Sequence, residues 1–209
     1  KKAAEYEWYS EGLGICYEMG IGVEENETEA FKYYTLAADN GNTTSMYRTG
    51  LCYYNGVGVK QNYAEAYRWF TDAAGNENVA AIYYLGKMMM YGEGCNPDPE
   101  AAVQWLLKAA EKNNDKAQFE LGNAYLTGNG VEENDEIAME WFEKAAEQDF
   151  AKAQNNLAYM YSQGRGYALD YAKAMQWYQK AADQGYAEAQ YNLGFMYEQG
   201  KGTEKNYEK

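Results

Sequence analysis

Residues 171–202 read YAKAMQWYQKAADQGYAEAQYNLGFMYEQGKG. The pair Ala181-Ala182 in this stretch recurs as Ala37-Ala38, Ala73-Ala74, Ala109-Ala110 and Ala145-Ala146, each copy 36 residues from the next. A fixed period of this length marks one supersecondary unit copied in tandem, a unit that cannot bury its apolar face alone and must stack on its neighbours. A second landmark keeps the same period. Gly20/Gly22, Gly56/Gly58, Gly92/Gly94, Gly128/Gly130, Gly164/Gly166 and Gly200/Gly202 form Gly-x-Gly steps with no insertion or deletion between copies.

After each step stands Asn26, Asn62, Asp98, Asn134, Asp170 or Asn206. These residue types accept from the orphan N–H groups at the start of a helix, and Pro99 sits where the first helical position tolerates proline. The segment that follows places Ala174, Trp177, Tyr178, Ala181 and Ala182 on one helical stripe, as it does Ala30, Tyr33, Tyr34, Ala37 and Ala38, and Ala138, Trp141, Phe142, Ala145 and Ala146. This is helix B. Gly41, Gly185, Asn113 and Asp149 are expected to end its copies in the left-handed conformation.

Helix A precedes the Gly-x-Gly step and carries Leu193-Gly194 and Tyr197, with Leu157, Ala158 and Tyr161 one period back and Leu121, Gly122 and Tyr125 two periods back. A glycine at 14, 50, 86, 122 and 194 costs about 1 kcal/mol against alanine in a helix interior. Close packing of helix B offsets that loss, and the paired alanines are expected to supply the matching flat surface.

On these residues the chain resembles the Sel-one-like repeats (SLR), a branch of the tetratricopeptide-like solenoids. The family pattern appears as Ala189, Leu193-Gly194, Tyr197, Gly200 and Gly202, and then as Ala174, Trp177-Tyr178 and Lys180-Ala181-Ala182. Departures are few: Met89 replaces the helix A tyrosine, Cys95 and Tyr167 the loop valine, and Thr49 the leucine. The resemblance implies an all-α fold, a right-handed α/α superhelix of helix-turn-helix repeats. The register divides it into five full repeats and a partial sixth, at about 7–42, 43–78, 79–114, 115–150, 151–186 and 187–209. Both ends read as cut, so a longer parent protein is expected.

Composition restricts function. Asp and Glu outnumber Lys and Arg 32 to 18, a net charge of −14, which argues against nucleic acid, whose phosphates require clustered cations. No stretch approaches the roughly 20 apolar residues of a membrane-spanning helix. The chain has no histidine, which removes imidazole bases, triads and His-zinc sites. Ser10, Ser45 and Ser162 are followed three residues later by Leu13, Arg48 and Arg165, so no Ser-x-x-Lys arrangement exists. The acidic run at Glu132-Glu133-Asn134-Asp135-Glu136 lacks calcium-loop spacing and reads as a solvated loop whose acids complement a helix start. Cys16 and Cys52 occupy equivalent positions about 10 Å apart in stacked helices, beyond the reach of a disulfide, about 7 Å. The three thiols are therefore expected to be free. The composition favours no compartment and calls for no metal or cofactor.

In tetratricopeptide-like solenoids helix A lines the concave face. Carried over by register, that face is expected to present Tyr47, Leu51 and Tyr54; Tyr83, Lys87 and Met90; Phe119, Asn123 and Leu126; Asn155 and Tyr159; and Tyr191, Phe195 and Glu198. Tyrosine offers large contact area at low rotamer cost, and asparagine can both donate to and accept from a peptide backbone. The alternative is that the rings pack against the next repeat. The leading expectation is a non-enzymatic protein–protein interaction scaffold or adaptor, holding a peptide or helix segment in its groove. The second is a glycan or cell-wall peptide binding module of a bacterial envelope or secreted protein, and the third is a purely structural role.

Overall fold

A computed structural model describes residues 2–202, with side chains from residue 9 onward. The cap expected at Asn206, and the helix B it would begin, lie outside the described residues. Eleven helices and no strand are found among the described residues: α1 (Lys2–Met19), α2 (Glu27–Asp39), α3 (Thr43–Asn55), α4 (Tyr63–Gly75), α5 (Val79–Tyr91), α6 (Pro99–Glu111), α7 (Asp115–Thr127), α8 (Asp135–Glu147), α9 (Ala151–Gln163), α10 (Tyr171–Asp183) and α11 (Ala187–Gln199). Odd-numbered helices are copies of helix A and even-numbered ones copies of helix B. The helices cluster into two compact units, Lys1–Trp105 and Leu106–Lys209, divided within α6.

The helix boundaries follow from side chains. Asn26 accepts from the Glu29 N–H at 3.0 Å, Asp98 from Ala101 at 3.0 Å, Asn134 from Ile137 at 3.0 Å and Asp170 from Lys173 at 2.9 Å. Asn62 accepts from both Ala64 and Glu65. The backbone N–H of each cap also donates to the carbonyl of helix A nine residues earlier, as in Asn62 to Tyr53 at 2.9 Å and Asp170 to Tyr161 at 3.0 Å. Three caps were not anticipated: Asn42, Asn78 and Asn114 start helix A copies, accepting from Ser45, Ala81 and Ala117. Phe150 and Tyr186 stand in the same place without a side-chain bond. Helix B ends with Gly41, Asn113, Asp149 and Gly185 at positive φ, and Glu77 joins them at +63°.

The Gly-x-Gly step has two distinct tasks. Gly56 caps α3 in the left-handed conformation, its N–H donating to the Cys52 carbonyl. Gly58 brings the loop onto the backbone of the preceding helix B, where a β-carbon would run into the Glu27 carbonyl. In the second unit, a β-carbon on Gly166 would meet the Asp135 oxygen at 2.7 Å. Only glycine permits so close a backbone approach at positive φ.

The glycine within helix A meets something other than the surface expected of it. A β-carbon on Gly50 would lie 2.7 Å from Cε1 of Phe70, and one on Gly14 or Gly122 would lie 2.5 Å from the ring of Tyr34 or Phe142. The flat partner is thus the aromatic ring of helix B, while the paired alanines are buried in the core. Rings win that place because they bury more area than a methyl group against a bare backbone.

In the first unit Tyr34, Phe70, Ile82, Leu85 and Met88 are among the fully buried side chains. Among its buried polar side chains two stand out. Ser45 and Thr49 are completely buried on α3, and neither hydroxyl has a hydrogen-bond partner among the described residues. Their equivalents in the second unit are alanine and leucine at 117 and 121. That unit is built around Met139, Phe142, Leu157, Met160 and Tyr178, and Leu121 is also fully buried. It also contains a buried amide relay. Gln118 and Gln154 donate to the carbonyls of Ala110 and Ala146 and accept from Gln148 and Gln184 at 2.7 and 2.8 Å. Cys16, Cys52 and Cys95 are free thiols.

Candidate interaction surface

In the first unit, α3 carries Tyr47, Leu51 and Tyr54, and α5 carries Tyr83, Lys87 and Met90. Most of these side chains are engaged inside the unit. Tyr47 is half-buried, its ring centroid 6.0 Å from Phe70 and 6.1 Å from Tyr84. Tyr54 packs edge-on against Tyr63 and Tyr84 at 5.2 and 5.3 Å. Its hydroxyl donates to Glu93 at 2.7 Å and accepts from the Lys87 ammonium at 3.0 Å. Lys87 also stands 5.3 Å from the centre of that ring, a cation–π arrangement. Tyr83 and Met90 are buried, and Tyr83 lies edge-on to Tyr84 at 5.1 Å.

These surroundings alter the phenols. Burial pushes Tyr47 up to about 12, with the neighbouring Tyr84 adding to the shift. Burial raises Tyr54 well above the ordinary phenol range, reinforced by its hydrogen bond to Glu93. Neither serves as a base near neutral pH.

In the second unit, α7 carries Phe119, Asn123 and Leu126, α9 carries Asn155 and Tyr159, and α11 carries Tyr191, Phe195 and Glu198. Phe119 packs against Phe142 and Phe150 at 5.8 and 5.3 Å, and Leu126 is half-buried against the core. The asparagines are joined in a line. Asn156 donates to Asn123 at 3.3 Å, Asn155 to Asn156 at 3.5 Å, and Asn192 to Asn155 at 3.1 Å. Asn155 is 2% exposed, so its amide serves this line and faces no solvent. The exposed members of the set are Tyr159, Tyr191 and Phe195, at 46%, 74% and 45%, together with Glu198.

Three residues beside the expected set make contacts of their own. Tyr84 stacks on Phe70 at 4.9 Å, Arg48 reaches Glu18 and Tyr34, and Asn156 reaches Asn123. Each follows the first expected position of its repeat by one residue. The sequence signal was the register itself: 48, 84, 156 and 192 are 36 or 72 apart and hold Arg, Tyr, Asn and Asn.

Among the described residues no group of His, Cys, Asp and Glu is placed to hold a metal ion. No helix there is long and apolar enough to cross a membrane. Charges pair instead with one another: the Arg165 guanidinium holds Asp135 through two bonds, at 2.8 and 2.5 Å, and Glu133 at 3.2 Å.

Comparison with known proteins agrees with this architecture. The Sel1 repeat model matches residues 11–42, 43–77, 79–114, 115–150, 151–186 and 187–209. A protective antigen present in uropathogenic Escherichia coli strains, displaying an SLR fold, is 37% identical with a TM-score of 0.89. The match covers 96% of this chain and 43% of that one, so the chain spans less than half of that protein. A Sel1 repeat protein from Oxalobacter formigenes is 32% identical with a TM-score of 0.90, covering 97% of this chain and 81% of the other. An immunity protein from Pseudomonas aeruginosa, 21% identical with a TM-score of 0.56, covers 90% and 68% and shares the fold alone. Comparison with curated proteins gives no match.

Proposed function

The chain belongs to the Sel1 repeat family, whose repeats are typically protein–protein interaction modules and generally non-catalytic, and on that premise we propose that it is a scaffold clasping an extended segment or a helix of another protein on its helix A face. The observation that supports this reading is the exposure of Tyr159, Tyr191 and Phe195 in the second unit, beside the asparagine line. Exposed rings of this size are solvated at a cost that a partner relieves, and tyrosine truncation at interface centres removes 2 kcal/mol or more, roughly. The half-buried amides of Asn123 and Asn192 each use only part of their bonding capacity within the protein. A peptide backbone has the matching donors and acceptors. In the first unit the expected rings Tyr47, Tyr54 and Tyr83 serve internal packing, so the partner's main anchor is assigned to α9 and α11.

The test is capture followed by identification of what is captured. Replacing Tyr159 and Tyr191 with alanine together should abolish recovery of a specific partner while leaving the melting temperature unchanged, because both rings are exposed. Retention of that partner by the double variant would overturn the assignment. The same rings could stack on sugars, so oligosaccharides titrated against intrinsic fluorescence form the second arm. A saturable shift there would move the reading from peptide to glycan.

A further inference from the structure

Where α1, α2 and α3 meet, the first unit contains a pocket of about 130 Å³. This is well below the roughly 300 Å³ at which sites for drug-sized molecules begin, and suits one amino-acid side chain. Leu51, Cys52 and Val57 form an apolar floor, with Arg48, Glu18, Tyr34 and Asn55 around it. One repeat later the same register holds Tyr84 for Arg48, Lys87 for Leu51 and Glu93 for Val57. There the Tyr84 ring stacks on Phe70, while Lys87 and Glu93 both engage the Tyr54 hydroxyl. The pocket thus opens where a guanidinium replaces a ring.

Arg48 is held in place but only half used. Its Cζ lies 5.2 Å from the centre of the Tyr34 ring. Nη1 donates to Glu18 Oε2 at 2.7 Å and to the Tyr34 hydroxyl at 3.3 Å, and that hydroxyl donates to the same carboxylate oxygen at 2.5 Å. Among the described residues Nη2 and Nε donate to nothing, and Glu18 Oε1 accepts nothing. Asn55 makes no side-chain hydrogen bond there either. A fixed guanidinium with one free edge is the geometry that takes a carboxylate through two parallel bonds. A free acceptor beside it calls for an N–H, and the floor calls for a small aliphatic group.

We propose that this pocket binds the C-terminal residue of a peptide: its α-carboxylate on the Nη2/Nε edge of Arg48, its N–H on Glu18 Oε1, and a valine-sized side chain over Leu51, Cys52 and Val57. The assignment deepens the scaffold reading above by naming the chemistry of a peptide end, and rests on it. A free amino acid presents the same carboxylate, nitrogen and side chain, and the experiment separates the two sources. Glu18 balances the charge of Arg48, so the pocket does not attract anions indiscriminately. It selects a carboxylate that carries a donor next to it.

The experiment is calorimetric titration of the whole 209-residue chain with the tripeptide Ala-Ala-Val, its C-terminal amide and free valine. The free-acid tripeptide should bind at least about tenfold more tightly than the amide, the effect of one lost charge-assisted contact. Arg48→Lys keeps the charge without the fork and should weaken binding several-fold. Arg48→Met should abolish it, with a thermal melt confirming that the variant is folded. The Tyr159→Ala and Tyr191→Ala variants should bind the tripeptide like the wild type, which keeps this test separate from that of the α9 and α11 surface. Equal binding of acid and amide, full binding by Arg48→Lys, or no binding of the acid at millimolar concentration would overturn the proposal. Free valine binding as tightly as the tripeptide would overturn its peptide source.

Discussion

Gly122 and Gly194 hold the same position in two copies of helix A, and the consequences of adding one methyl group to each differ in a way that can be calculated. At Gly122 the new β-carbon would lie 2.5 Å from Cε1 and 2.6 Å from Cδ1 of Phe142; at Gly194 nothing in the described structure comes within 4 Å. Carbon atoms prefer separations of about 3.5–4.0 Å, so the Phe142 ring would have to retreat by about 1 Å. It has nowhere to go, being completely buried and packed against Phe119. Overpacking of this kind costs about 1–3 kcal/mol. Both changes gain about 1 kcal/mol of helix propensity, which cancels in the comparison. Gly194→Ala should therefore be as stable as wild type or up to about 1 kcal/mol better, and Gly122→Ala should fall about 1–3 kcal/mol below Gly194→Ala. Urea unfolding followed by circular dichroism measures the difference at constant slope. If Gly122→Ala proves equal to or more stable than Gly194→Ala, the ring does not explain the helix A glycine.

Other outcomes follow from particular groups. Thr49→Val removes a fully buried hydroxyl with no partner among the described residues at nearly constant shape, and should raise stability by about 1 kcal/mol or more in the same assay; a loss would mean that the hydroxyl is satisfied. Asn62→Ala deletes an acceptor for two N–H groups at the start of α4, and should cost about 0.5–2 kcal/mol, most of which Asn62→Asp should restore. The phenol of Tyr178 is raised by burial from 10.0 to about 12, as is that of Tyr47. The folded state thus favours their neutral forms, so this stabilisation is complete below about pH 10 and is lost as pH rises through about 12. Urea midpoints taken stepwise through that window should fall, and less steeply in Tyr178→Phe; a flat profile would contradict the burial.

Periodic features were legible in the sequence because their cause is local. A residue such as Asn62 or Asp170 needs only its own side-chain oxygen and the next turn's N–H groups to start a helix. Gly41, Asn113 and Asp149 likewise announce the left-handed ends they adopt, whereas Glu77 does so at +63° with nothing in its chemistry to signal it. Contacts between helices were less legible. Repetition showed that something presses on Gly50, but alanine pairs and aromatic rings recur with the same period, and only packing distinguishes the Phe70 ring as the neighbour. Which residue of each adjacent pair packs inward was not legible for a related reason. Successive helix positions lie about 100° apart, so residues 83 and 84 point to different neighbours. A repeat period cannot tell which of them turns toward the preceding helix; Tyr84 does so, stacking on Phe70.

That adjacent register is where the repeats differ most in chemistry while keeping the same backbone. Arg48 meets Glu18 and Tyr34, Tyr84 meets Phe70 and Tyr54, and Asn156 and Asn192 meet Asn123 and Asn155. An ion pair on a ring, an aromatic stack and an amide pair thus occupy equivalent places, each formed with the side chains beside it. The glycine that ends helix A in the left-handed conformation is the same around all three, as Gly56, Gly92, Gly164 and Gly200. Those fixed contacts bury backbone and core and hold neighbouring helices in register, so the side chain at this position is released from any duty to the fold beyond filling space. Where a ring stacks on the preceding helix, as Tyr84 does on Phe70, the place is taken; where a polar edge borders a pocket, as at Arg48, the boundary can receive a ligand. Substituting Arg48 by tyrosine should therefore put a ring in the place of the free guanidinium edge and abolish tripeptide binding without loss of stability.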